Sequence, residues 1–269
     1  MRLATWNINS VRLRIDLLSR LAAEAAPDVI CLQEIKVETA AFPSAAVADL
    51  GYPYQQVYGI KGYNGVAIVS RRPLAKPAAR DWCGRRDGRH VHAEVGLEDG
   101  DDGTALEVHN FYIPSGGDEP DPAVNDKFAH KLRFLDEVTA WWRGRRRNRR
   151  RAVMVGDFNV APLETDVWSH KQLLNVVSHT PVEVERLGRL QGSHDWVDAV
   201  RTFIPPSERL YSWWSYRSRD WRASNRGRRL DHIWVTPALA GTLKSAAVLA
   251  DARDWPKPSD HVPVLVDFA

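Results

Sequence analysis

Cysteine is nearly absent: Cys31 and Cys83 are the only two in 269 residues, too few for a disulfide framework. Cys31 lies in the apolar run Asp28-Val29-Ile30-Cys31-Leu32 and reads as a buried strand residue. No uninterrupted apolar stretch is long enough to cross a membrane. The chain goes straight into Arg2-Leu3-Ala4-Thr5-Trp6, a strand-like start that leaves no room for a signal peptide. A reducing, cytoplasmic setting is the expectation, next to the nucleoid if the source is bacterial. Lysine is scarce as well. Eight of the 37 basic residues are Lys, leaving 29 Arg. Arginine suits bidentate phosphate contacts and stacking, although a GC-rich genome produces the same bias without function. The formal net charge is only +3, with a pI of about 8.9. Eleven tryptophans are many for this length, and several stand beside arginines.

No low-complexity linker divides the chain, and one domain over residues 1–269 is expected. Leu3 to Ile8, Val29 to Leu32 and Ala152 to Val155 read as strands. Two strand pairs are expected, Tyr54–Tyr58 with Gly65–Ser70 and His90–Leu97 with Ala105–Tyr112, the second linked by the acidic turn Glu98 to Gly103. Late strands are expected at Tyr211–Tyr216, Leu230–Val235 and Val262–Phe268. Helices are expected at Val11–Ala26 (on Leu13, Leu17, Leu18 and Leu21), Phe42–Leu50, Ala123–Arg143, Asp166–Val176 and Val182–Leu190. The arginine run Arg143 to Arg151 sits where the long helix ends. It reads as a solvated loop favoured by the helix dipole, with nonspecific contact to a phosphate backbone as the alternative.

Polar motifs punctuate these apolar runs: Trp6-Asn7-Ile8-Asn9, Leu32-Gln33-Glu34, Tyr112-Ile113-Pro114, Gly156-Asp157-Phe158-Asn159, Arg229-Leu230-Asp231 and Ser259-Asp260-His261. Glu34 and Asp260 with the carboxamide of Asn7 make an oxygen donor set that suits a hard ion, Mg²⁺ or Mn²⁺ in its place. Taken alone, Glu34 reads first as a solvated strand end. Residues two apart on a strand face one side, so Asp157 and Asn159 aim at one point. There Asp157 would deprotonate a water and the Asn159 amide would stabilise phosphate charge, or both would merely hold a turn. A carboxylate such as Asp231 beside His261 fixes its tautomer and raises its pKa, although a lone histidine entering a strand reads more often as structural. Tyr112 offers a phenolic donor, or packs as an ordinary strand tyrosine. The run Tyr211 to Arg217, followed by Arg219, Arg222, Arg226, Arg228 and Arg229, reads as a half-buried strand with a basic loop. It also reads as an aromatic surface for an unstacked nucleotide or sugar.

In this order the motifs resemble the exonuclease III family of AP endonucleases, within the endonuclease–exonuclease–phosphatase superfamily. The similarity runs from Leu3 to Phe268. The Gly156 and Ser259 motifs resemble the superfamily at large. Leu32-Gln33-Glu34-Ile35-Lys36, Asn225-Arg226-Gly227 to Asp231, and Lys257 to His261 resemble its DNA-repair branch. The resemblance implies an α/β fold, a four-layer sandwich of two packed mixed sheets flanked by helices. It implies cleavage of duplex DNA 5′ to abasic sites, with 3′–5′ exonuclease and trimming of blocked 3′ ends; a monomer is the default expectation. Glu34 matches the principal metal ligand, with Asn7 and Asp260 nearby. Asp157 and Asn159, with His261 beside them, match the groups around a second metal where one is used. Asp157 matches the residue that activates water, Asn159 and Tyr112 match contacts to the scissile phosphate, and His261 oriented by Asp231 matches the catalytic histidine. Arg12, Lys36, Tyr63 and Arg89 fall where relatives touch DNA, and Trp213 and Leu230 match the walls of a pocket for a flipped abasic sugar. Arg228 departs from the apolar pocket residue of some relatives, and Ser115 from a carboxamide. Two rivals stand beside this reading: an enzyme of the same scaffold acting on inositol phosphates, sphingomyelin or RNA, and a DNA-binding protein without catalysis.

Overall fold

The computed structural model describes residues 1–96, 105–147, 150–218 and 220–269. The expected acidic turn Glu98 to Gly103, the middle of the arginine run and Arg219 lie outside the described residues. The strands are β1 (Arg2–Asn7), β2 (Val29–Gln33), β3 (Tyr54–Tyr58), β4 (Val66–Ser70), β5 (Leu74–Ala79), β6 (His90–Val95), β7 (Leu106–Tyr112), β8 (Ala152–Asp157), β9 (Val197–Asp198), β10 (Trp213–Trp214), β11 (Gly227–Arg228), β12 (Asp231–Val235), β13 (Leu243–Val248) and β14 (Val264–Phe268). The helices that matter here are α1 (Ile15–Glu24), α2 (Ser44–Asp49), α3 (Asp126–Arg143), α4 (His170–Leu173) and α5 (Pro181–Gly192).

Two six-stranded sheets form, in the orders β13-β14-β1-β2-β4-β3 and β5-β6-β7-β8-β12-β9. Each is antiparallel except for one parallel pair, β1 with β2 and β7 with β8. Strand alternation sets the layers. Leu3, Val29, Cys31, Val108, Val153, Val155 and Ile233 point between the sheets and make the central core. Ala4, Trp6, Ile30 and Leu32 point outward onto Leu17, Leu18 and Leu21 of α1. Met154 and Trp234 point the other way, onto Phe134, Leu135 and Val138 of α3 and Leu187 of α5. The result is helix, sheet, sheet, helix, as the resemblance implied.

The same period of two, carried to the strand ends, builds the site. On the inner faces the apolar series gives way to Asn7, Gln33, Tyr112, Asp157 and Asp231. Asn7 is in register with Gln33, Tyr112 with Asp157, and Asp157 with Asp231, so all five collect at one rim. A buried polar clamp joins the sheets just below: Gln33 Nε2 donates to Asn110 Oδ1 at 2.7 Å, and Asn110 Nδ2 donates to Leu32 O and Ala67 O at 2.9 Å. Gly156 permits the close approach of β7 and β8. Its φ is +139° and a Cβ there would meet Phe111 O at 1.9 Å.

Several expectations are corrected. The first helix begins at Ile15, and Leu13 lies ahead of it, 56% exposed. The expected helix Asp166–Val176 is only the short α4. The expected strand Tyr211–Tyr216 shrinks to Trp213–Trp214, because Tyr211 and Trp214 turn into the core around α1 while Tyr216 stays outside. Of the arginine run, Arg145 stacks 4.2 Å from the Trp141 ring, Arg146 pairs with Asp195, and Arg150 pairs with Glu107 at 3.0 Å. Residues 143–147 are nonetheless solvent-exposed, in line with the solvated-loop reading.

Candidate active site

Asn7, at the end of β1, is the hub that links the two sheets. Its Nδ2 donates to Glu34 Oε1 and to Asp157 Oδ2, both at 2.9 Å. Its own oxygen accepts the Asn9 amide at 3.1 Å. Tyr112 crosses from the second sheet to donate its hydroxyl to the same Glu34 Oε1 at 2.9 Å. Lys36 Nζ sits 2.8 Å from Glu34 Oε2, a cation already placed against this carboxylate. Glu34, Lys36 and Asn159 have φ of 50°, 52° and 54°. Left-handed backbone is costly for Glu and Lys, of order 1–3 kcal/mol each, and such residues gather at functional sites. Sequence patterning gives no signal for it.

His261 lies on the segment leading into β14. Its Nδ1 is 2.8 Å from Asp231 Oδ2, and its Nε2 is 3.7 Å from Asp157 Oδ2. Asn159 donates its main-chain N–H to Asp157 Oδ1 at 3.0 Å and one side-chain N–H to Ile113 O at 2.9 Å. One amide hydrogen of Asn159 is left for a ligand. Asp260 accepts from Trp213 Nε1 at 2.9 Å and Asn9 Nδ2 at 3.1 Å.

These contacts set the charges. Burial opposes ionisation of Glu34, but the Asn7 and Lys36 contacts outweigh it and hold its carboxyl below the ordinary range. Burial likewise opposes ionisation of Asp260 and is outweighed by His261, the Trp213 N–H and Asn9. Burial pushes Asp157 above the carboxylate range; His261 pulls it back and Asp231 adds to the rise. That suits a group that accepts a proton. Burial alone would neutralise His261, yet the Asp231 and Asp157 carboxylates raise it to about 10. The Tyr112 phenol is held well above its usual value by burial and by Glu34 and Asp157, so it remains a donor.

Beside the cluster lies a cavity of about 600 Å³ whose walls include Trp168, Trp213, Arg228 and Leu230. Lys36 is in the cluster itself. Tyr63 and Arg89 line the adjoining cavity, on the other side of Tyr112. Arg12 is exposed on the turn before α1 and is not drawn into either cavity.

Sequence reasoning missed several supports. Arg14 is buried and donates to Pro258 O at 2.9 Å, Lys257 O at 3.0 Å and the Tyr216 hydroxyl at 3.0 Å, tying the chain after β1 to the segment that carries Asp260 and His261. Ser259 Oγ donates to Asn7 O at 2.7 Å. Ser212 Oγ accepts the Leu230 and Asp231 amides at 3.0 Å. Lys131 and Glu183 form a fully buried pair whose ammonium also donates to Asn159 O at 2.7 Å.

Among the described residues, two groups of potential metal donors come within 4.8 Å: Asp157–Asp231–His261 and His90–His92–His109. The histidines are a stack with ring planes 21° to 32° apart. Imidazole lone pairs lie in the ring plane, and His90 Nε2 and His109 Nδ1 already face one another at 3.1 Å as hydrogen-bond partners, which leaves neither free for an ion. The rim cluster fits a metal better, because the carboxylates of Glu34 and Asp157, joined through the Asn7 amide, present hard oxygen donors beside the Asp157–Asp231–His261 group. His261 Nδ1 is engaged by Asp231, so only its Nε2 faces the cluster.

The endonuclease/exonuclease/phosphatase family matches residues 4–261. The chain is 31% identical to exodeoxyribonuclease III of Haemophilus influenzae, across all of both chains. The chain belongs to the exonuclease III-like AP endonuclease family within that superfamily. Similar solved structures agree. An AP endonuclease from Archaeoglobus fulgidus superimposes with a TM-score of 0.89 at 30% identity, covering 100% of this chain and 99% of that one. A 3′ phosphatase from Neisseria bound to a product DNA hairpin gives 0.88, also at 30% identity and the same coverage. Membership makes this protein a hydrolytic nuclease of a metal-dependent family, with acidic and histidine groups placed to bind an ion.

Proposed function

We propose that this family member is a Mg²⁺-dependent DNA repair nuclease that hydrolyses the phosphodiester 5′ to abasic sites in duplex DNA and also processes 3′ ends, as exonuclease and end trimmer. The observation that carries the reading is the bridge from Glu34 through Asn7 to Asp157, closed by Tyr112 on one side and by His261–Asp231 on the other. It supports a reading in which a cation site, a proton acceptor and a positive imidazole share one cluster.

Glu34 and Asp260 would hold the ion, with the Asn7 amide orienting Glu34, and Asp157 and Asn159 completing a second position where two are used. A bound divalent ion supplies Lewis-acid stabilisation of charge on the phosphate. Asp157 takes the proton of the attacking water through Oδ2, the atom that also faces Asn7 and His261 Nε2. Protonated His261 offers Nε2–H to a phosphate oxygen, its orientation fixed by Asp231. Tyr112 and the remaining amide hydrogen of Asn159 donate to the same phosphate. Trp213 and Leu230 wall the neighbouring space for the displaced sugar, while Arg12, Lys36, Tyr63 and Arg89 contact the flanking strand.

Motifs from Asn7 to His261 meet at one rim, which supports a single catalytic domain acting as a monomer. No described helix is long and apolar enough to cross a membrane. DNA as the substrate points to the cytoplasm or nucleoid. A substrate panel tests the assignment: an abasic duplex, a 3′-phosphate duplex, RNA, an inositol phosphate and sphingomyelin, each with magnesium. Preferred turnover of the abasic duplex is expected, and preferred turnover of a non-DNA substrate would replace this reading.

A further inference from the structure

Three guanidinium groups, those of Arg217, Arg226 and Arg228, line the same cavity as Glu34, Asp157 and Asp260. Among the described residues no carboxylate lies within ion-pair distance of any of the three. Neighbouring arginines are neutralised: Arg222 by Asp251 and Asp254, Arg229 by Asp198, and Arg201 by Asp166. Trp213 keeps the two charge types apart. Its Nε1 binds Asp260 at 2.9 Å while Arg228 lies over its ring, 5.3 Å from the centroid. Arg228 is fixed further by Nη1 bonds to Val177 O at 2.9 Å and Ser178 Oγ at 2.7 Å, and its Nε is buried without a partner. Arg226 lies 4.7 Å over the Trp168 ring. Arg217 is exposed and lines the same space.

Unneutralised guanidinium groups held on indole faces are preorganised for bidentate contact with a phosphate or carboxylate. A neutral deoxyribose alone would leave them unmatched. We propose that Arg217, Arg226 and Arg228 form an anion subsite beside the cleavage centre, for a second anionic group joined to the scissile phosphate. Resting on the nuclease reading above, that group is the next phosphate of a continuing strand or the carboxylate of a glycolate remnant at a broken 3′ end. Arg228 and Arg226 thereby set the balance among the substrates of this site.

The test uses four end-labelled duplexes. One carries an abasic analogue with a normal phosphate on its 3′ side, and one has a neutral methylphosphonate there. One ends in 3′-phosphoglycolate, and one in a plain 3′-phosphate with nothing beyond it. The wild-type enzyme is compared with Arg228→Leu and with Arg226→Ala, an exposed position that keeps the fold. Relative to the plain 3′-phosphate, both variants are expected to lose on the order of 10-fold or more in kcat/KM wherever a second anion is present. The methylphosphonate is expected to cost the wild type a comparable factor and the variants little more. The abasic pair reads the strand phosphate and the glycolate reads the remnant. Variants that slow all four substrates by one common factor overturn the subsite. Wild-type protein that cuts none of the four sinks the nuclease reading, and the subsite with it.

Discussion

Replacing Asp231 by Asn tests how the imidazole is charged. Asp231 Oδ2 lies 2.8 Å from His261 Nδ1 and both side chains are buried. With charge centres about 4 Å apart and an effective dielectric of about 20, removing the carboxylate charge costs the imidazolium about 4 kcal/mol, or about 3 pH units. His261 stands at about 10, raised against the effect of burial by Asp231 first and Asp157 second. The variant imidazole therefore titrates near about pH 7. The protonated form is the competent one, so activity is lost as pH rises through that value. The assay is kcat on an abasic duplex at saturating metal, from about pH 5.5 to about pH 9, with thermal unfolding as a check on folding. The variant should approach wild type at the acid end and fall about tenfold behind by about pH 8. A profile of unchanged shape, merely scaled down, would refute the electrostatic role and leave Asp231 a steric support.

Other consequences follow from the same geometry. Asp157→Asn should abolish cleavage while damaged-duplex binding persists in a mobility-shift assay; near-normal cleavage would remove Asp157 as the proton acceptor. Glu34→Ala should raise the metal concentration for half-maximal rate by about tenfold or more, and an unchanged magnesium titration would take Glu34 out of the ion site. Gly156→Ala drives a Cβ into Phe111 O, 1.9 Å away, at a φ of +139°; a loss above about 3 kcal/mol is expected in denaturant melts, and a neutral effect would contradict the close approach of β7 and β8. Acid should destabilise the fold at two histidines, because burial holds His109 at about 4 against its Glu107 hydrogen bond, and burial with the Arg229 charge holds His232 at about 3. The unfolded chain binds those protons near about pH 6.5, so stability is full above that value and falls below it, by about 2 kcal/mol per histidine at about pH 5. His261, raised to about 10, gains stability over the same range, so the readout is a His109→Gln variant. Its change between about pH 7.5 and about pH 5 should differ from wild type by about 2 kcal/mol; an identical change would show that His109 is not held neutral.

The central strands were legible because both chemistry and burial repeat along them. β2 and β8 are apolar on the inner face and end in Gln33 and Asp157, β1 ends in Asn7 and β12 begins at Asp231, so motif and strand terminus coincide. Two edge strands, β5 and β13, carried no such signal. β5 and β13 are exposed at alternate or successive positions, and β5 includes Pro77, as an edge tolerates. The run Tyr211 to Tyr216 alternates as a strand should, yet the packing of Tyr211 and Trp214 beneath α1 overrides the pattern. At the site, side chains that bind substrate or one another stood out as motifs. The supports did not: Arg14 and Lys131 work through main-chain oxygens, which any sequence supplies. The left-handed backbone at Glu34 and Lys36 was invisible for the opposite reason, since sequence alone would assign that conformation to glycine or asparagine.

The most direct measurement is a single gel. An end-labelled duplex with one abasic analogue is incubated with the protein in magnesium or in EDTA, beside an undamaged duplex. One magnesium-dependent cut immediately 5′ to the lesion is the expected result, with a slower ladder from the 3′ end of the undamaged duplex. Folded protein that leaves the abasic duplex intact with every divalent ion tried, or that cuts equally well in EDTA, would contradict the account.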